Sequence, residues 1–151
     1  MYADTLEGGS DQIYTVPVAG GVPRLVSKGS DAVEVPGRNL LIYGKQDQPG
    51  IYGRSLRGDL ATNPEQLLVT DYQAPWGGFY PMTDGIYYVG CNSDGIPRMF
   101  RFYSFDTGKS VDVAPSPTNL ALGLTVTPDR TRLAYATVSR GSEDLVQIDL
   151  Q

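Results

Sequence analysis

The apolar–tyrosine pair Ile42-Tyr43 recurs as Ile86-Tyr87, 44 residues on, and as Ala134-Tyr135, a further 48 on. A repeat of that length, built from β-forming residues, is the signature of propeller blades, small sheets that cannot bury their faces alone and must stack. Each unit can be written as four strands in meander order, with A short and innermost, B carrying the pair, C following a turn and D leading to the next unit. The unit at 29–70 reads DAVEV, NLLIYGK, GIYGRSL and EQLLVT, and the unit at 71–114 reads GGFYPM, GIYYVG, RMFRFYSF and KSVDVA.

The end units are incomplete. Residues 1–28 supply MYADT, DQIYTVPV and PRLVSK as B, C and D, while residues 115–151 supply GLTVTP, RLAYATV and DLVQIDL as A, B and C. The expectation is an all-β β-propeller fragment of fourteen strands, about three and a half four-stranded antiparallel blades. A ring takes about four to eight blades, so self-association is expected to complete it. The rest of the chain agrees with this reading. Its 18 Gly and 11 Pro are spread along the whole length between short runs rich in Tyr, Val, Ile and Leu, and no segment keeps a helical apolar period for three turns. The stretches AGG, QPG, SDG and DTG supply the turn chemistry that tight reversals need.

Charge and residue usage exclude several function classes. With 17 acidic against 12 basic residues the net charge is -5, which offers no footprint for a phosphate backbone, so nucleic acid is not an expected partner. There is no histidine, which removes the commonest general base and zinc ligand together. The single Cys91 has neither a disulfide partner nor a histidine to activate it. MYADTLEGGSDQ lacks the form of a signal peptide, and no apolar run approaches the roughly 18 residues of a membrane span. No membrane partner and no cofactor are expected, and nothing in the chain fixes a compartment.

At GGVPRLVSKGSD, GIYYVG, FYSFDTGKS and above all GLTVTPDRTRLAYATVSRGSEDL, the sequence resembles the C-terminal half of TolB-like, WD40-like (PD40) β-propellers. It is most similar to the bacterial group, frequent in Acidobacteria, in which such a propeller follows a winged-helix DNA-binding domain. VTPDRTRLAYATV matches their S-P-D-G-x-x-[LI]-x-[YF] blade motif, with Thr127 in place of Ser and Arg130 in place of the turn Gly. The resemblance implies the propeller fold and leaves function open, and parent proteins of this kind are often periplasmic or membrane-anchored.

DGIYYVG, residues 84–90, holds both triplets of a nuclease signature, but fused into one strand rather than set on a hairpin. It reads instead as strand B of a blade, with Ile86, Tyr87 and Val89 packing between blades. Arg57-Gly58-Asp59 reads as an ordinary C-to-D turn. SDG and QDQPG lack the dense ligand alternation of calcium loops, and no phosphate loop, dinucleotide loop or nucleophile elbow is present.

The D-to-A and B-to-C connections of a propeller share one rim, which is expected to gather Asp47, Tyr72, Trp76, Asn92, Asp94 and Arg140. Such a rim suits a protein, peptide or sugar ligand, although Trp76 reads equally as a wedge between blades. The leading reading is a non-catalytic module for binding and assembly, not an enzyme. The alternatives are a hydrolase or lyase site using carboxylates such as Asp47 and Asp94, and a truncated fragment without a role of its own. The complementary ends point to a homodimer, with Tyr2, Leu145, Val146, Ile148 and Leu150 expected at the contact.

Overall fold

A computed structural model describes residues 2–4, 11–60, 62–73, 78–139 and 142–150, the side chains of 2–4, 122, 139, 142 and 143 excepted. Among the described residues there are fourteen strands and no helix. The first sheet is β1 (Tyr2–Asp4), β2 (Gln12–Thr15) and β3 (Arg24–Lys28). The second is β4 (Ser30–Val35), β5 (Leu40–Gly44), β6 (Ile51–Ser55) and β7 (Glu65–Val69). The third is β8 (Phe79–Met82), β9 (Gly85–Cys91), β10 (Pro97–Ser104) and β11 (Lys109–Pro115), and the last is β12 (Leu120–Val126), β13 (Arg132–Ser139) and β14 (Ser142–Asp149). Within each sheet, every strand pairs antiparallel with its neighbour in sequence, so the architecture is the all-β meander stack of a partial propeller.

The core is three slabs, one per junction between sheets. Ile13 and Val26 of the first sheet meet Leu41, Tyr43 and Tyr52 of the second. Val35, Ile42, Ile51 and Val69 of the second meet Phe79, Ile86, Tyr88 and Tyr103 of the third. Tyr87, Val89 and Phe100 of the third meet Leu120, Leu124, Val126, Leu133 and Tyr135 of the last. Because side chains alternate along a strand, a middle sheet with neighbours on both sides must be apolar on both faces. β9 is the extreme case, buried at every position from Gly85 to Gly90, and this is why its sequence reads as an unbroken apolar run.

That alternation changes the equivalence of the repeats. Tyr43 and Tyr135 face the preceding sheet, and in the third sheet this position belongs to Tyr88, while Tyr87 faces the last sheet with its ring 4.7 Å from Phe102. The repeat therefore runs Tyr43, Tyr88, Tyr135, one residue from the Tyr87 spacing read off the sequence. A slip of one residue exchanges the two faces of a strand.

On the rim formed by the A-to-B and C-to-D turns, two arginines tie neighbouring sheets together. Arg38, in the turn after β4, donates to the Thr83 carbonyl, lies 3.5 Å from Asp106, and sits over the Phe105 ring at 4.7 Å. Arg130, in the turn after β12, pairs with both carboxylate oxygens of Asp84 at 2.8 and 2.5 Å and holds that carboxyl below its usual pKa. Asp129 closes the same turn, accepting from Thr127 Oγ1 at 2.6 Å and from the Thr131 amide at 3.1 Å. Arg130 itself stands at φ +59°, the left-handed region that the blade motif reserves for glycine.

Two opposing contributions thus meet at Arg130. The left-handed backbone costs about 1 kcal/mol in a non-glycine residue, and a half-exposed bidentate pair returns up to about 1 kcal/mol. Arg130→Gly loses both and is expected to leave the urea midpoint unchanged, whereas Arg130→Ala keeps the strain, loses the pair and should cost about 1 kcal/mol. Equal losses in the two variants would show that the pair, not the backbone, sets the balance.

Candidate functional site

The D-to-A and B-to-C connections do converge on the opposite rim, where they frame two clefts. The larger, about 400 Å³, lies between the second and third sheets and is bordered by Pro49, Asp71, Gln73, Cys91, Asn92 and Ser93. Backbone hydrogen bonds stitch its walls: Gly50 N–H donates to the Tyr72 carbonyl at 2.6 Å and Cys91 N–H to the Asp71 carbonyl at 2.7 Å. Beneath it runs a polar network. The Tyr88 hydroxyl donates to Asp71 Oδ1 and accepts from Ser110 Oγ, both at 2.9 Å. Arg101 from β10 donates to Asp71 Oδ2 at 2.6 Å and to Asp112 Oδ1 at 2.7 Å. The Asp71 carboxylate is therefore held between a phenol and a guanidinium.

The smaller cleft, about 150 Å³, lies between the first and second sheets and is bordered by Asp11, Lys28, Lys45, Gln46 and Asp47. Here too a carboxylate organises its neighbours. Glu65 accepts from Lys45 at 2.5 Å, from Ser27 at 3.2 Å and from the Tyr43 hydroxyl, with Arg54 at 3.8 Å. Burial pushes the Glu65 carboxyl up, but the hydrogen bonds from Lys45 and Tyr43 outweigh it and the net pKa is lowered. The two networks share one plan, with the B-strand tyrosine (Tyr43 or Tyr88) donating to a carboxylate (Glu65 or Asp71) that a C-strand arginine (Arg54 or Arg101) also approaches. Neither acid nor either arginine stood out in the sequence. The available signal was an arginine on a C strand whose other inward positions are apolar.

The expected rim residues are distributed as follows. Asn92 borders the larger cleft, but its Oδ1 is occupied by the Asp94 and Ile96 amides at 3.1 and 2.8 Å. Asp94 is exposed in that turn, and Asp47 belongs to the smaller cleft. Tyr72 turns inward, 1% exposed, with its ring edge-on to Phe79 at 5.4 Å. Gln73 lies across Gly95, where an added Cβ would come within 2.1 Å of its Oε1. Burial raises the Cys91 thiol, so it faces the cleft as the neutral thiol. Trp76 and Arg140 lie outside the described residues, as does the Tyr2 side chain. In β14, Leu145 is 82% exposed, while Val146 and Ile148, with Leu150 just beyond the strand, are half-buried against the slab shared with the third sheet. Among the described residues, no three of the metal-ligating types gather as a group that could hold an ion, and no helix is long and apolar enough to cross a membrane.

The arrangement offers amide, hydroxyl and paired carboxylate groups, a set suited to hydrogen bonding. It also ties stability to the buried phenols. Tyr43 and Tyr88 are both pushed up to about 12, first by burial and then by the carboxylates that accept their protons. A folded pKa above the unfolded value of about 10 gives stability that is complete below about pH 10 and is lost as pH rises toward about 12. The urea midpoint should fall across that window, and Tyr88→Phe should flatten the fall. An unaltered slope in the variant would remove Tyr88 from this account.

No protein-family model matches the chain, and no curated protein matches it. Among solved structures, it is similar to the crystal structure of TolB from Acinetobacter baumannii, with a TM-score of 0.68 and 16% sequence identity over 97% of this chain and 37% of that one. The chain thus spans a little over a third of that protein's length, and at this identity the likeness is one of fold, that of a TolB-like β-propeller.

Proposed function

We propose that the chain is a non-catalytic β-propeller module for binding and assembly, and that its first partner is a second copy of itself. The observation that carries this is the contrast between inner and outer faces. Each internal junction buries two apolar faces, whereas the outer faces of the first and last sheets leave Leu25 and Val138 each 49% exposed and Leu145 82% exposed. Bare sheet faces of this kind mark interaction surfaces. The rim supports the binding half of the reading, since the larger cleft presents Gln73, Ser93 and a paired carboxylate to a protein, peptide or sugar.

The carboxylates considered for hydrolysis do not share a site. Asp47 borders the smaller cleft and Asp94 sits in the turn beside the larger one, and the chain has no histidine to stand between them.

Size-exclusion chromatography with light scattering should give twice the chain mass of 16.3 kDa. A monodisperse monomer with cooperative melting would sink the assembly reading. Screening ester, glycoside and peptide substrates should show no turnover, and turnover abolished by Asp94→Ala would overturn the non-catalytic reading.

A further inference from the structure

Four side chains around the larger rim cleft keep hydrogen-bonding groups that the fold does not use. Thr70, Gln73 and Ser93 border it, are exposed, and have no side-chain partner among the described residues. Asn92 spends its Oδ1 on the Asp94 and Ile96 amides and keeps both hydrogens of its Nδ2. Asp71 borders the same cleft with its side chain 31% exposed. Each of its oxygens accepts one bond, from Tyr88 or from Arg101, and so keeps a further acceptor position. Held at both oxygens, this carboxylate is fixed in orientation before any ligand arrives. Both walls belong to complete four-stranded sheets, so the cleft does not depend on the incomplete end units.

The mixture of groups narrows the ligand. An anion finds no cation on the cleft walls, and Arg101 beneath them is already shared between Asp71 and Asp112. An ammonium only donates, and would leave the amide hydrogens of Gln73 and Asn92 unpaired. An extended peptide binds through its main chain to a strand edge, and the main chain here is spent. Gly50 and Cys91 donate to the Tyr72 and Asp71 carbonyls, and Asn92 bonds with Gly95 and Ile96. A hydroxyl gives and takes at one atom, so neighbouring hydroxyls can donate to a carboxylate and accept from an amide together. At about 400 Å³ the cleft lies near the lower end of the roughly 300–1,000 Å³ of small-molecule sites, which suits a short saccharide.

Resting on the binding half of the proposed function, we infer that the cleft between the second and third sheets takes an uncharged saccharide, whose hydroxyls donate to Asp71 and accept from Gln73 and Asn92. The Pro49 ring gives a C–H face of the sugar a surface to lie against.

Amide chemical shifts of the isotope-labelled chain test this, in titrations with the methyl glycosides of glucose, galactose, mannose and N-acetylglucosamine and with maltose and lactose. At least one of these sugars should move the Gln73, Asn92 and Ser93 amides together at millimolar concentration. Gln73→Ala should weaken that sugar about fivefold and Asp71→Asn about tenfold. Where dichroism shows Asp71→Asn to be unfolded, Ser93→Ala at its exposed position takes its place. Glucuronate and glucosamine should bind no more tightly than the neutral sugars, and tighter binding of either overturns the uncharged class. Sugar binding that neither variant weakens, or that moves only amides elsewhere, overturns the site. If no sugar moves these amides the inference fails. A pool of short peptides that then moves them leaves the binding reading of the rim standing, and a pool that does not removes that reading as well.

Discussion

A β-sheet four strands wide has two faces and no interior, and here both faces of the two middle sheets are apolar. Each sheet depends on its neighbours for burial, at about 25 cal/mol for every Å² of apolar surface taken from water. Face-to-face stacking is therefore the interaction on which everything else in the structure rests. It explains why the core divides into three slabs rather than one centre, and why aromatic rings recur at each junction, as Phe100 and Tyr135 do with centroids 4.9 Å apart. It also places the clefts, since two twisted sheets packed on their faces must diverge where their connecting loops leave the stack.

The polar networks work within that frame. Glu65 and Asp71 are each satisfied by a tyrosine and a cation, Glu65 by Ser27 as well, so a carboxylate can lie at the margin of an apolar slab without the cost of an unpaired charge. Glu65 opens β7 and reaches Ser27 of the preceding sheet, whereas Asp71 lies in the connection that leaves β7 for the next sheet. They fix the angle between blades, while Arg38 and Arg130 fix it on the opposite rim. The third sheet is held by all of these contacts except the Glu65 group.

Fold and strand order were legible because period-two alternation and turn residues are local signals. What the sequence concealed depended on single-residue shifts. β12 begins at Leu120 rather than near Gly123 because a bulge between Leu120 and Leu124, with Gly123 at φ +109°, carries the strand through a stretch that reads as a loop. Tyr87 and Tyr88 are adjacent, and only packing shows which of them repeats Tyr43. Leu145 and Val146 look alike in sequence but face opposite ways. The chemistry of the rim was not readable, because Tyr72 and Asp71 are neighbours of which one enters the core and the other the polar network.

The double burial of β9 has a consequence for how the protein fails. Ile86 to Val89 is a run of strong β-formers without charge or proline, the composition of a segment that self-associates into cross-β structure when bare. In the native stack it is doubly sheltered, by β8 and β10 at its edges and by a slab on either face. No charged gatekeeper lies inside the run, so protection comes from neighbours alone. Heating that separates the third sheet from its flanking sheets uncovers this segment before the strands come apart, and recovery on cooling then competes with aggregation seeded at one identifiable place.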